Sequence, residues 1–406
     1  ILPEQIKTNT ISPLKFFKDY MENQFFPNIE VTFNSLFENH VENNNPYALE
    51  INDENKTIFK AAVDFQNLLA RIMLLMNTTN TFRKNVSTSI LEVIIRLQAY
   101  YEDLFNTIVN SHNDISNNIL ITWLNDEKLS HLESKIYNGD ESVITQETNE
   151  LFRYVPNFCV KSRGLTTYDS LSPTSFDNII YFLSTIMWIL DWLPTMKKRV
   201  EEENNVETKS EIDILRKQWS FFETTDSDFK QIKTLKFSLD KESEEKFDQT
   251  INAFMQLKTK LVSLLRFDMR SLCISNIGEL FQNTTMWNPE DSSNEIDQSI
   301  ASFISRLRLS ENKLKQQLSD VELKIIFIGV DKLCNIAFIK GSQTIKVLNS
   351  NGVKKLSRNI QMLQHTFRNF SPDPSNIDMS EPLLFYSLCD ADESTLFEEL
   401  NKGSLA

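Results

Sequence analysis

Glycine, proline, cysteine and histidine are all scarce in this chain of 406 residues. It contains seven glycines, eleven prolines, four cysteines and four histidines, whereas glycine alone averages about 7% of residues in proteins. Tight hairpins rely on left-handed backbone conformations that glycine adopts readily, so scarce glycine disfavours barrels and other hairpin-rich folds. The composition therefore favours long helices joined by few turns.

The usual materials and motifs of catalysis are missing as well. The four cysteines are far apart and form no CxxC pair, which argues against a zinc site or a disulfide framework. The sequence has no GxxxxGK[ST], GxGxxG, HExxH or GxSxG motif, and these motifs carry common nucleotide, metal and nucleophile chemistry. We therefore predict no catalytic, cofactor-binding or metal-binding residues and interpret the chain as a non-enzyme.

Charge is strongly negative overall but reverses locally near the C-terminus. The net charge is −14, which argues against general nucleic-acid binding. From Lys324 to Phe370, however, eight basic residues accompany one acid, and Asp373 to Glu399 then holds eight acids and no base. Pairing of this stretch with the acidic tail is favoured, because the two segments are adjacent and their charges nearly cancel. The alternative is a docking surface for an acidic protein or for anionic lipid head groups. The docking candidates are Lys340, Lys346, Lys354, Lys355 and Arg358.

Apolar residues recur at helical spacing through most of the chain. Pro13 follows a serine and marks a helix start, and Asp53 is a candidate cap for the next helix. A seven-residue repeat between 81 and 111 fits a coiled coil or a bundle helix, and its wide apolar face favours the bundle. The longest helical pattern runs from Asp240 to Gln282, and Asn349 to Gly352 predicts a turn.

The predicted fold class is all-α, arranged as an elongated rod of consecutive helical bundles. We predict an N-terminal bundle over 1–140, a middle bundle over 160–288, and a C-terminal bundle over 291–406 that holds the basic stretch and the acidic tail. The apolar run Ile179 to Leu193 contains Asp191 and is shorter than the roughly twenty residues of a membrane span, so it predicts a buried core helix. No internal repeat of fixed period is present, which disfavours HEAT or TPR solenoids.

The segment Val321 to Phe370 resembles the C-terminal region of the Sec-eight subunit of the exocyst, in a fungal-like form. A weaker similarity lies upstream, in the segment from Leu264 to Arg270. The residues that carry the main resemblance are Ile326-Phe327, Gly329, Leu333, Ile339, Gly341, Gln343, Gly352, Lys354-Lys355, Arg358-Asn359-Ile360 and Leu363-Gln364.

The resemblance implies a non-catalytic subunit of the exocyst, the complex that tethers post-Golgi secretory vesicles to the plasma membrane before fusion. It implies other exocyst subunits as partners, with fusion-machinery proteins or anionic phospholipids as further candidates, and no nucleic acid or small-molecule substrate. It also implies a cytoplasmic protein recruited peripherally to sites of exocytosis, the bud tip and bud neck in a budding yeast. An α-solenoid adaptor or cargo-receptor scaffold is the alternative, and an all-helical enzyme with a deep pocket is a third hypothesis.

Overall fold

The computed structural model describes residues 13–73, 83–110, 119–159, 173–197, 239–282, 287–290, 295–371, 374–393 and 396. Over these residues the protein is mostly helical, and its strands form one two-stranded sheet. The α-helices are α1 (Pro13–Tyr20), α2 (Phe26–Phe37), α3 (Lys60–Met73), α4 (Arg83–Asn110), α5 (Ile119–Leu124), α6 (Glu127–Tyr137), α7 (Ile144–Tyr154), α8 (Pro173–Trp192), α9 (Lys241–Gln282), α10 (Gln298–Gln317), α11 (Asp320–Phe327), α12 (Val330–Gly341), α13 (Ser350–Phe370) and α14 (Ser380–Cys389). The all-α prediction is confirmed at this level.

The helices group into two compact units, each built from two segments of the chain. Unit 1 comprises 1–108 with 184–258, and unit 2 comprises 109–183 with 259–406. The sequence predicted three consecutive bundles, in which each bundle would be one continuous stretch. Neither unit is continuous in sequence, because segments far apart in the chain pack together in each.

Unit 1 begins with a helical run in which two π-helical turns follow α1 and α2. Arg96 of α4 donates to Glu42 at 2.7 Å and 3.0 Å and to Glu38 at 3.2 Å. Its guanidinium also lies 4.9 Å from the centroid of the Phe37 ring. The π-helical turn Glu38–Glu42 thus presents two carboxylates to one arginine and ties this run to α4.

A β-hairpin occupies the place where the sequence predicted a helix cap. Strand β1 (Leu49–Ile51) pairs antiparallel with β2 (Thr57–Phe59), so Asp53 lies in the connecting turn, and the next helix begins at Lys60. Asn55 adopts a left-handed φ of 59°, which asparagine tolerates better than most residues. The prediction that Asp53 caps a helix was therefore wrong. Asn55 supplies the left-handed conformation of this turn, which glycine supplies in many other hairpins.

Unit 2 is organised around the buried second half of α9. The helix spans Lys241–Gln282, as the apolar pattern predicted, and every residue from Leu261 to Ile274 is buried.

The apolar segment Phe176–Met196 is long and apolar enough to cross a membrane, by length and composition, and 56% of its most apolar window is buried in the structure. That burial agrees with the core helix predicted from Ile179 to Leu193.

Candidate functional site

The five predicted docking residues differ in their surroundings. Lys346 and Lys354 are exposed, and Arg358 is half-buried one turn after Lys354 on α13. Lys340, at the end of α12, places its ammonium 4.7 Å from the centroid of the Phe152 ring of α7. The last of the five, Lys355, is bound within unit 2. Exposed positive charge is thus clearest at Lys346 and Lys354.

Two residues of the resembling segment hold the first turn of α10. Lys355 pairs with Asp297 at 3.0 Å, and the Asn359 amide donates to the same carboxylate at 2.8 Å. The Asp297 backbone N–H in turn donates to Asn359 Oδ1 at 3.2 Å. Asp297 is the N-cap residue of α10, so Lys355 and Asn359, four residues apart on α13, fix where α10 begins.

The three glycines of the resembling segment lie where other parts of the chain approach closely. A Cβ at Gly329 would lie 2.3 Å from the Ile144 side chain, one at Gly341 would lie 2.3 Å from the Phe281 ring, and one at Gly352 would lie 2.0 Å from the Trp287 carbonyl oxygen. Gly329 also has a left-handed φ of 80°, which favours glycine. All three positions therefore exclude a side chain.

The predicted turn from Asn349 to Gly352 is the first turn of α13. Asn349 is the N-cap, and its side chain accepts a hydrogen bond from the Gly352 N–H at 2.8 Å. Its amide donates to the Pro289 carbonyl at 2.9 Å. The glycine therefore serves close packing inside a helix rather than reversal of the chain, which corrects the prediction.

A buried ionic network joins α7 to α9. Glu147 of α7 and Arg266 of α9 are 0% and 1% exposed. Arg266 donates to both carboxylate oxygens of Glu147, at 2.8 Å and 2.6 Å, and Arg270 lies 3.4 Å from the same carboxylate. Burial alone would raise the pKa of Glu147, but the two guanidinium groups outweigh it and hold that pKa below its ordinary value. Glu147 is therefore ionised between two cations.

The same arginines satisfy the carbonyl groups at the end of α11. Arg266 donates to the Ile325 carbonyl, and Arg270 donates to those of Ile326 and Ile328 at 3.1 Å and 2.7 Å. The last carbonyls of a helix lack partners within it, and cationic side chains near them complement the helix dipole. Burial, followed by the charge of Arg266, lowers the pKa of Arg270 to about 10. Two arginines thus cap a helix that lies 50 to 60 residues further along the chain.

A second carboxylate lies at the edge of this network. Glu133 of α6 is 7% exposed, its Oε1 lies 4.0 Å from Arg266 Nε, and that oxygen accepts no hydrogen bond in the structure. Burial, which the charge of Arg266 only partly offsets, raises the pKa of Glu133 to about 7. The Tyr137 hydroxyl, one turn further on, is also buried, and burial raises its pKa. Glu133 is the group of this network that titrates near neutrality.

Glu133→Gln is expected to stabilise unit 2 above neutral pH. Because the folded-state pKa is raised, the contribution of Glu133 to stability is fully present below its unfolded value of 4.5 and is lost as the pH rises through about 7. The melting temperature of the unmodified chain should therefore fall relative to that of the variant between about pH 5 and about pH 8. Glu127→Gln, at an exposed position of the same helix, is the control. If the melting temperature of the unmodified chain and that of Glu133→Gln change equally with pH, the raised pKa of Glu133 would be contradicted.

Sequence reasoning missed this network. The segment from Leu264 to Arg270 carries a weak similarity in sequence, but its two arginines gave no prediction of a buried network. The available signal was two arginines four residues apart inside a largely apolar helical stretch, since residues four apart share a helix face. Glu147 gave no comparable signal, because its helix lies more than a hundred residues earlier and the pairing depends on tertiary structure.

A cleft of about 420 Å³ lies beside the end of α11. The buried Asp331 on its wall accepts a hydrogen bond from the Asp378 N–H at 3.3 Å, and burial raises its pKa. At the cleft, Lys324 pairs with Glu141 at 3.3 Å. The cleft is lined by Glu141, Ile144, Lys324, Phe327, Ile328, Gly329, Val330, Asp331, Lys332, Phe367, Phe370, Ser371, Asn376 and Ile377. Its charges are of both signs, so the lining selects neither an anion nor a cation.

Comparison with known proteins adds no family assignment. No protein-family model matches the chain, and no curated protein matches it significantly. Within the residues that the structure describes, no group of three or more His, Cys, Asp or Glu side chains is placed to hold a metal ion. The candidate functional features are therefore the exposed Lys346 and Lys354 and the buried network of Glu147, Arg266 and Arg270.

Proposed function

We propose that this protein is a non-catalytic structural subunit of an exocyst-type complex, which tethers post-Golgi secretory vesicles to the plasma membrane before fusion. The observation that carries the proposal is that residues shared with the exocyst subunit lie at packing positions in the structure. Gly329, Gly341 and Gly352 lie at close packing contacts, and Lys355 and Asn359 hold the N-cap of α10. Residues that a family shares for its architecture are expected at such packing points.

The proposed mechanism is mechanical. Apolar helix faces stabilise the bundles at about 25 cal/mol per Å² buried, and charged surface residues select partners. In the proposed assembly the bundles follow one another in a rod, and sister subunits dock along its sides. Fusion-machinery proteins or anionic phospholipids are further partners, and the protein would act in the cytoplasm at plasma-membrane sites of exocytosis.

Copurification tests the partner assignment. The tagged chain is returned to cytosol from a secreting yeast, and the proteins bound to it are identified. We expect other exocyst subunits among them, and we expect Lys346→Glu combined with Lys354→Glu to reduce their recovery, because both lysines are exposed. Lys355 is left unchanged because reversal there would place a carboxylate beside Asp297.

The matched control reverses Lys135 and Lys241, two exposed lysines outside the basic segment, by the same change in charge. It should leave recovery unchanged. Absence of exocyst subunits from the bound fraction would overturn the proposed function. Equal recovery with both double variants would instead show that the basic segment is a solvated face. The rod is tested by solution scattering, where a compact chain of this length gives a radius of gyration of about 22 Å and a rod is expected to exceed about 30 Å.

A further inference from the structure

The outer edge of the hairpin in unit 1 carries main-chain hydrogen-bonding groups that point away from its partner strand. Lys60 N–H donates to the Ala48 carbonyl at 2.8 Å, and Asn52 N–H donates to the Lys56 carbonyl at 2.9 Å. Hydrogen-bonded pairs alternate along an antiparallel ladder, so Glu50, which faces Ile58, directs its N–H and C=O towards β2. The N–H and C=O groups of the residues on either side of Glu50 therefore point away from β2.

The two edges of the hairpin differ in the hydrogen bonds that other described residues make to them. On the β2 side the outward N–H of Phe59 donates to the Thr185 hydroxyl at 2.9 Å, and α8 thereby covers that edge. On the β1 side, no described residue hydrogen-bonds to the outward groups of Leu49 or Ile51, whose side chains are 45% and 68% exposed. Exposed apolar edge strands are uncommon, because they pair readily with other chains.

The hairpin is held in shape without a third strand. The Asn52 side chain accepts hydrogen bonds from the Glu54 and Lys56 N–H groups at 3.0 Å and 2.9 Å. The Tyr47 ring packs edge-on against the Phe59 ring, with centroids 6.1 Å apart. A preorganised edge loses little conformational entropy when a partner strand joins it.

We infer that β1 is a docking edge for an extended segment of a partner protein, which adds to the hairpin as a third strand. Its main chain would bond to the outward groups of Leu49 and Ile51, as in β-strand addition. The residues opposite these two would be apolar, since directly opposed side chains share a sheet face.

Charge selects the middle residue of the partner segment. From Glu50 to Thr57 the hairpin holds three acids and one base, and Glu54 already pairs with Lys56 at 3.0 Å. Glu50 is exposed on the face opposite Leu49 and Ile51, so a basic residue of the partner would lie across from it. The partner pattern is therefore apolar, basic, apolar. The inference does not depend on the exocyst assignment.

The test uses the full chain and a short synthetic peptide in which valine alternates with lysine. Binding is followed by residue-resolved hydrogen exchange, and we expect the Leu49 and Ile51 amides to exchange about tenfold more slowly at saturating peptide. A peptide that alternates valine with glutamate, and a lysine–valine peptide methylated on its valine nitrogens, should each leave the two amides fast. Equal protection by either of these peptides would overturn the proposal.

Ile51→Pro tests the hydrogen bond that the Ile51 N–H would donate to the partner segment, because proline has no N–H. Proline is tolerated on an edge strand where its missing N–H would face solvent, so the Asn52 and Lys60 amides that form the ladder should keep their protection. Peptide affinity should fall about tenfold in Ile51→Pro, whereas Ile51→Thr, which keeps the N–H, should bind more nearly as the unmodified chain does. Equal affinity for the proline and threonine variants would overturn the proposal. Slow exchange at Leu49 and Ile51 without peptide would also overturn it, because another part of the chain or a second copy would already cover the edge.

Discussion

Replacing Glu147 by glutamine is expected to lower the free energy of unfolding of unit 2 by about 3–5 kcal/mol. The substitution preserves shape but removes the only carboxylate that contacts Arg266 and Arg270 within 3.5 Å in the described structure. Both guanidinium groups would stay buried, and each would face the other's charge without an anion between them. Their helix-capping bonds to the α11 carbonyls would hold them in place, so they could not move to solvent without breaking those bonds.

Denaturant unfolding followed by tryptophan fluorescence measures this loss, since Trp123 and Trp287 are buried in unit 2. Glu150→Gln is the matched control, because it makes the same change one turn along α7. The Glu150 carboxylate pairs with the exposed Arg153 at 2.7 Å, and such pairs contribute only about 0–1 kcal/mol. Equal effects of the two substitutions would contradict a stabilising network.

The long helices were predictable from sequence because each carries its own signals. Helix α9 showed an apolar face over its whole length, and its bounds matched the pattern from Asp240 to Gln282. Helix α13 ends at Phe370, just before Ser371 and Pro372. These signals are local, because proline fixes its own φ and restricts the residue before it.

The hairpin and the buried network could not be predicted in the same way. Scarce glycine disfavours hairpins only on average. In this hairpin Asn55 alone supplies the left-handed conformation that the turn needs. Arg266 and Glu147 are 119 positions apart, and nothing local marks them as partners. The five docking candidates look equivalent in sequence, yet Lys355 holds the N-cap of α10 while Lys354 is exposed, because burial depends on packing.

Substituting alanine for Gly352 is expected to cost about 3 kcal/mol of unfolding free energy, at the upper end of the usual range for overpacking. The added Cβ would lie 2.0 Å from the Trp287 carbonyl oxygen and 2.8 Å from its carbon. These are backbone atoms, so the clash cannot be relieved by turning a side chain. The first turn of α13 would have to move away from the 287–290 segment, which would weaken the Asn349 bonds to Trp287 and Pro289, 3.3 Å and 2.9 Å long.

The same denaturant experiment tests this prediction, with Gly139→Ala as the control. Gly139 has a left-handed φ of 87° and nothing within 4 Å of an added Cβ, so alanine there introduces backbone strain of about 1–2 kcal/mol and no clash. Helix propensity alone would favour alanine over glycine within α13 by about 1 kcal/mol. A neutral or stabilising Gly352→Ala would therefore mean that propensity dominates and that α13 does not approach the Trp287 backbone this closely. A loss larger than that of Gly139→Ala would support glycine at position 352 as a requirement of the contact between these two segments.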